Sequence, residues 1–216
     1  METGQLIVII ISVFFLLWYL VFSVFNRRRG IATYYWLRQG LAVLGEVSEA
    51  NWIGSSSSGA QLIVGEAKSP FKRFGVMFML QPRDILPKWI YYLLLGRQDD
   101  LVVKAALRKA PKQDLRVARR GDKEIRKLID PAQKRPYQRI ESLAGFDIAY
   151  KGTLDEQLIE RLAGFLTQYQ EAVLQMSLKK EKPHFELRLA RSAIVDDPAE
   201  DLFTALGNVV GGNQSA

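Results

Sequence analysis

The longest apolar run is Leu6 to Phe25, LIVIIISVFFLLWYLVFSVF, twenty residues with no charge and only Ser12, Tyr19 and Ser23 as polar side chains. At a rise of about 1.5 Å per residue, a helix of that length is roughly 30 Å long, the thickness of a bilayer's hydrocarbon layer. Lipid offers the backbone no hydrogen-bond partners, so such a segment must close its bonds internally as a helix. A cleavable leader would carry positive charge before a shorter run and small residues after it. Here Glu2 is the only charged side chain before the run, and Asn26-Arg27-Arg28-Arg29 follows it. The pattern therefore predicts an uncleaved anchor over residues 1–29, built along Leu6, Phe14, Trp18 and Phe25. Arginines beside a span stay cytoplasmic, so Arg27, Arg28 and Arg29 predict a cell-membrane protein with its N-terminus outside and residues 30–210 in the cytoplasm. The same three residues are placed to touch anionic lipid.

Beyond the anchor the pattern shortens. Tyr34, Leu37, Leu41 and Leu44 recur at helical spacing, with Gly45 as a stop; the adjacent Tyr34, Tyr35 and Trp36 suit either the headgroup region or a core. Residues 46–53 and 60–67 alternate around Gly54–Gly59 and predict a hairpin. Residues 73–81 are apolar on both faces, as expected of a central strand covered on each side. Asp84 is the expected N-cap of a helix over 85–95, with Pro87 in its first turn and Gly96 closing it. Its Trp89–Leu95 stretch is too short to span a bilayer, so a buried core helix is expected, with a lipid-facing surface as the alternative.

Residues 101–108 and 115–119 alternate around Pro111 and predict a second hairpin. KEIRKLI (123–129) reads as a short helix, and 130–136 as a loop. A strand over 146–151 leads to Thr153 and Glu156, a capping box that opens a helix to about Tyr169. Leu174, Met176 and Leu178, then Phe185, Leu187 and Leu189, predict two further strands. A last helix follows Asp196-Asp197-Pro198, and 211–216 form a frayed tail.

The order strand, helix, strand, Pro-containing turn, strand occurs over both 73–119 and 144–191, and Leu115–Arg119 aligns with Leu187–Arg191. The expected fold class is therefore α+β: an N-terminal transmembrane helix, then a largely antiparallel α/β sandwich domain, with two pseudo-repeated βαββ units as one way of building it.

Composition removes several chemistries. With no Cys and one His among 216 residues, disulfide frameworks, thiol nucleophiles and thiolate or multi-histidine metal sites are excluded. Nucleotide-loop, zinc-protease, calcium-loop and hydrolase-elbow motifs are absent. His184, at the start of a strand, reads as a surface or hairpin residue. The neighbouring carboxylates of Asp99-Asp100 read as helix-cap chemistry. No cofactor is expected, and catalysis is not the expected role.

Charge adds one feature. Residues 101–140 hold thirteen basic and four acidic side chains, net +9, against +7 for the whole chain. The candidate anion-binding residues are Lys104, Arg108, Lys109, Lys112, Arg116, Arg119, Arg120, Lys123, Arg126 and Lys127. A solvated face, contact with anionic lipid and nucleic-acid binding compete. The single aromatic in the segment, Tyr137, argues against the stacking surface that single-stranded nucleic acid uses. The expected role is that of a membrane-held docking or scaffold domain for a protein partner, with recognition of anionic lipid headgroups or nucleic acid through 101–140 as the alternative.

Overall fold

A computed structural model describes residues 3–129, 137–153 and 155–212. The predicted 130–136 loop and most of the 211–216 tail lie outside the described residues. The first element, α1 (Thr3–Leu41), is one unbroken helix of 39 residues. It runs through the arginines without a break, so the apolar segment and the first helix of the domain are one continuous helix. After residue 25 the buried positions are Asn26, Gly30, Thr33, Leu37, Gly40 and Leu41. These recur every three or four residues and form one stripe.

The nine strands are β1 (Glu49–Trp52), β2 (Gly59–Val64), β3 (Phe71–Met79), β4 (Asp100–Leu107), β5 (Asp114–Arg119), β6 (Gln138–Leu143), β7 (Phe146–Lys151), β8 (Val173–Leu178) and β9 (Phe185–Ala190). They form one sheet in the order β1-β2-β3-β4-β9-β8-β5-β7-β6, and every neighbouring pair is antiparallel. The remaining helices are α2 (Leu86–Leu94), α3 (Lys123–Ile129), α4 (Glu156–Gln168) and α5 (Ala199–Gly211). The α+β class with a long apolar N-terminal helix is as expected.

One face of the sheet is covered. The second half of α1, then α5, then α4 lie against it, with α5 packed on both of the others. Phe71, Phe74, Phe78, Leu101, Val117, Ile148, Phe185 and Leu187 point into this layer and meet Leu37, Leu162, Phe165 and Phe203. Phe74 meets Phe203 edge to face at 5.7 Å. Fully burying one such side chain stabilises the fold by about 1.5–3 kcal/mol. The other face is open except at one end, where α3 sets Ile125 on Ala118 and Ala149.

Several expectations change here. Residues 75, 77 and 79 of β3 are not covered: Met79 is 52% exposed. β4 and β5 do not form a hairpin, because the β8–β9 hairpin sits between them. The duplication falls with it. β3 and β4 are neighbours, whereas their counterparts β7 and β8 are separated by β5, so the two halves have different strand orders. In β8 a bulge between Val173 and Gln175 places Val173 opposite Leu189, and Val173, not Leu174, is the buried residue. The cap of α4 is Asp155, which accepts from the Leu158 N–H at 3.3 Å, not Thr153. α2 begins after Ile85 with no side-chain cap, so Asp84 does not play the predicted part.

Candidate functional site

Three surfaces carry chemistry: the foot of the apolar segment, the open sheet face, and the basic residues of 101–140.

At the foot of the apolar segment, Leu80, Gln81 and Arg83 follow β3 directly, and Asp99 precedes β4. These two strand ends bracket α1 where its charges begin. Asp99 is buried. It accepts the Gln81 N–H at 2.8 Å and both terminal nitrogens of Arg83 at 3.0 Å, and Arg29 stands 3.5 Å away. The forked geometry is what a guanidinium and a carboxylate favour. Asn26, also buried, donates to the Gln81 carbonyl at 2.8 Å and accepts from Arg83 at 3.3 Å. Arg191 donates its N–H to the Asp99 carbonyl at 2.9 Å and its Nε to Thr33 Oγ1 at 2.5 Å. Burial and the neighbouring Arg29 push the Arg191 pKa down to about 10, against the opposing pull of Asp99. Arg83 and Arg29 thus share the Asp99 carboxylate, with Arg191 held beside them through the Asp99 carbonyl and Thr33, while Arg27 and Arg28 remain exposed.

This junction escaped the sequence reading. Asp99 is not a helix cap but the buried centre of a network, and Asp100 pairs with Arg188 on the open face. The available signals were an Asn next to an apolar span and the Gln81-Pro82-Arg83 tripeptide.

Above the junction the apolar segment is bare. None of its most apolar 18-residue window is buried, and Leu6 and Phe14 are each 49% exposed. The exceptions are Phe22 and Ser23, half-buried, and Trp18. Its indole N–H donates to the Arg83 carbonyl at 2.9 Å, and its ring lies 5.7 Å from that of Trp89 in α2. Helix α2 has no buried residue, so the core reading of Trp89–Leu95 is overturned. The aromatic trio of α1 divides: Tyr34 and Trp36 pack against the core, while Tyr35 is 62% exposed.

The open sheet face holds a groove of about 470 Å³ lined by side chains of β3, β4, β5, β8 and β9. Lys104 and Lys179 flank Glu186 at 3.5 Å each, and Arg188 pairs with Asp100. Arg116 Nε is buried without a partner among the described residues. Met77, Met79 and Val102 supply the apolar floor.

The ten basic candidates do not form one patch. Lys104 and Arg116 are on the open face. Arg108, Lys109 and Lys112 are exposed at the β4–β5 connection, and Arg108 donates to the Ala67 carbonyl at 2.8 Å. Arg119, Arg120, Lys123, Arg126 and Lys127 gather around the end of β5 and α3, all exposed. Of these, Arg119 is engaged with the carbonyls of Val173 and Glu171 at 3.1 and 2.6 Å. Tyr137 packs against the α3 cluster instead of offering a stacking surface. His184 is buried, not a surface residue; its Nδ1 accepts the Leu107 N–H at 3.0 Å. No group of three or more metal-ligating side chains occurs among the described residues. No family model matches the chain, and no curated protein is detectably similar to it.

Proposed function

We propose that this chain is a single-pass membrane protein whose cytoplasmic domain is a non-enzymatic docking module, held at fixed height by the anchor helix. The observation that carries the proposal is α1 itself. Its first half is apolar and bare, its second half is part of the core, and no break lies between them. A helix with this much exposed Leu, Ile, Val and Phe would be insoluble in water, whereas lipid is its natural surrounding. The arginines at its foot give the orientation, N-terminus outside.

The docking surface is the open sheet face. Four cations, Lys104, Arg116, Lys179 and Arg188, stand against two carboxylates, Asp100 and Glu186, around an apolar floor. That chemistry suits an acidic segment of a partner protein with interspersed apolar side chains. Because the chain has no Cys, any introduced thiol is unique. Two single-cysteine variants test the orientation: Gly4→Cys reacts with an impermeant reagent on intact cells, and Lys151→Cys only after permeabilisation. The opposite pattern rejects it. For docking, a fluorophore at Val102→Cys in nanodiscs responds to a peptide alternating Glu and Leu but not to its Lys/Leu counterpart, and Arg116→Ala weakens the response. Equal response to both peptides, or none, rejects the acidic partner.

Contact with anionic lipid is the second reading, favoured by the gathering of Arg120, Lys123, Arg126 and Lys127. In register, the end of β5 lies level with Phe78 of β3 through β8, β9 and β4, the end of the sheet from which the apolar helix projects. Loss of anionic-vesicle binding on neutralising these four side chains supports it; unchanged binding rejects it.

A further inference from the structure

Helix α2 has the wrong outward face for a helix in water. Ile85, Ile90, Tyr91, Leu93, Leu94 and Leu95 are between 46% and 81% exposed, Leu94 most of all. Within the helix Lys88 is the only charge. Leu86, Trp89 and Tyr92, three residues apart, are the half-buried positions, so α2 turns its inner stripe to the protein and its most apolar side outward.

Its height explains the inversion. Trp89 packs on Trp18 and Phe22 of α1, at 5.7 and 5.8 Å between ring centroids. Both partners belong to the apolar run, not to the charged turns after it. Trp18 precedes Arg27 by nine residues, roughly 13 Å along a helix. If Arg27–Arg29 sit among lipid headgroups, Trp89 lies well above them, beside the inner-leaflet end of the span. The bare side of α2 is then continuous with the bare side of α1, where Leu17, Val21, Val24 and Phe25 are exposed.

The C-terminal backbone of α2 is closed on itself. At its C-terminus Gly96 N–H donates to the Leu93 carbonyl at 2.9 Å and Arg97 N–H to the Tyr92 carbonyl at 2.9 Å, the paired bonds of a Schellman cap. Gly96 adopts the φ of +63° that this cap requires. At the other end Pro87 has no N–H to satisfy. The charged side chains fold back: Lys88 and Arg97 lie over the Tyr92 ring, at 5.9 and 4.8 Å.

We infer that α2 is a second membrane element, a short helix laid in the cytoplasmic leaflet against the inner end of the anchor, with lipid acyl chains covering Ile90, Tyr91, Leu93 and Leu94. Helices of this kind bury their apolar side about 5–10 Å into the headgroup–acyl boundary. With two attachments, the domain cannot swing about α1, and the end of the sheet where β3 stops and β4 starts is held toward the membrane. The inference rests on the reading of Leu6–Phe25 as a span.

The test uses the full chain in bilayers with one label per molecule, at Leu94→Cys, Val13→Cys or Glu181→Cys. Glu181, in the β8–β9 turn, is exposed and serves as the aqueous reference. Quenching by lipid-borne nitroxide and by aqueous iodide is compared. The expected result is that position 94 follows position 13: nitroxide quenching several-fold above that at 181, and iodide quenching several-fold below. If 94 follows 181 while 13 stays lipid-quenched, the anchor stands and the inference about α2 is wrong. Shielding of 94 from both quenchers means that protein, not lipid, covers it, which also overturns the inference. Iodide access at 13 overturns the span and the α2 assignment together. The same comparison at Tyr91→Cys guards against a local effect of one label.

Discussion

The two halves of α1 have the same backbone and opposite surfaces. From Leu6 to Phe25 apolar side chains surround the helix and all but Trp18 and Phe22 are exposed; from Asn26 to Leu41 the sequence is mixed, and a single stripe is buried. In the first half apolar residues occupy every face, and only the side bearing Trp18 and Phe22 meets protein, at Trp89. In the second half one face meets the sheet and α5, and that stripe contains Gly30 and Gly40 where backbones approach closely. A Cβ at Gly40 would lie 2.3 Å from Ala199 Cβ, and one at Gly30 would lie 1.8 Å from the Ser56 carbonyl oxygen, whereas Gly4 has nothing within 4 Å. What changes along the helix is its surroundings, and the side chains record the change within one turn.

The largest effect that would sharpen this contrast is at the junction. Asp99→Asn leaves Arg83 and Arg29 without their shared carboxylate and Arg191 with only Asp196 to offset the neighbouring cations. Removing one partner of a buried ion pair costs about 3–5 kcal/mol, so denaturant unfolding of the domain in detergent should show a loss of that order. A loss no larger than that of the exposed Arg27→Ala would mean that the foot of the helix is not fixed to the domain. Next comes Gly40→Val, expected to destabilise by about 1–3 kcal/mol through overpacking against Ala199, while Gly4→Val stays within about 0.5 kcal/mol of the native chain. Equal effects at the two glycines would erase the difference between the halves.

Acid separates the halves in another way. Asp147 accepts the Gly121 N–H at 3.0 Å and Arg139 at 2.8 Å. The Gly121 bond foremost, then Arg139, hold its carboxyl below the usual 3.8 despite the opposing cost of burial. A carboxyl lowered in the folded state contributes stability that is complete above 3.8 and is lost as pH falls through the lower folded value. The domain should therefore weaken below that pH, and Asp147→Asn should flatten this part of the acid limb. The apolar half of α1 holds no carboxyl and should keep its helical signal throughout. The smallest effect is at Arg116→Ala on the open face. With no partner among the described residues to lose, it should change stability by less than about 0.5 kcal/mol, so that any weakening of peptide binding is a loss of contact and not of fold.

Much of this architecture is legible in the alternation of side chains. The β1–β2 hairpin, β3, β7, β9 and the stripes of α4 and α5 follow from it. Period-two patterning specifies which face of a strand is buried, however, and not which strand lies beside it. The connection from Arg108 to Gln113 is short enough for a hairpin, yet at about 3.3–3.6 Å per residue it also reaches across the two intervening strands. Side-chain pattern cannot distinguish these routes. Helix α2 departs from the core reading because apolar composition does not say what covers a helix, and length alone favoured the core. The junction was missed because Asn26, Gln81, Asp99 and Arg191 are far apart in sequence, and each is an ordinary polar residue until the fold assembles them. The ten basic residues were adjacent in sequence, but strand alternation and two turns scatter them over three surfaces.

The most direct test of the account is a cysteine scan of residues 4–44, one position at a time, in the chain reconstituted in bilayers. Reaction with an aqueous thiol reagent is measured at each position. The account predicts uniform protection from residue 6 to residue 25 with no helical period, then a rhythm of 3.6 residues with minima at 26, 33, 37 and 41, Gly30 and Gly40 being left as glycine because neither has room for a Cβ. A helical rhythm of aqueous access running through 6–25 would contradict it, because that half would then have one wet face and would not cross the membrane.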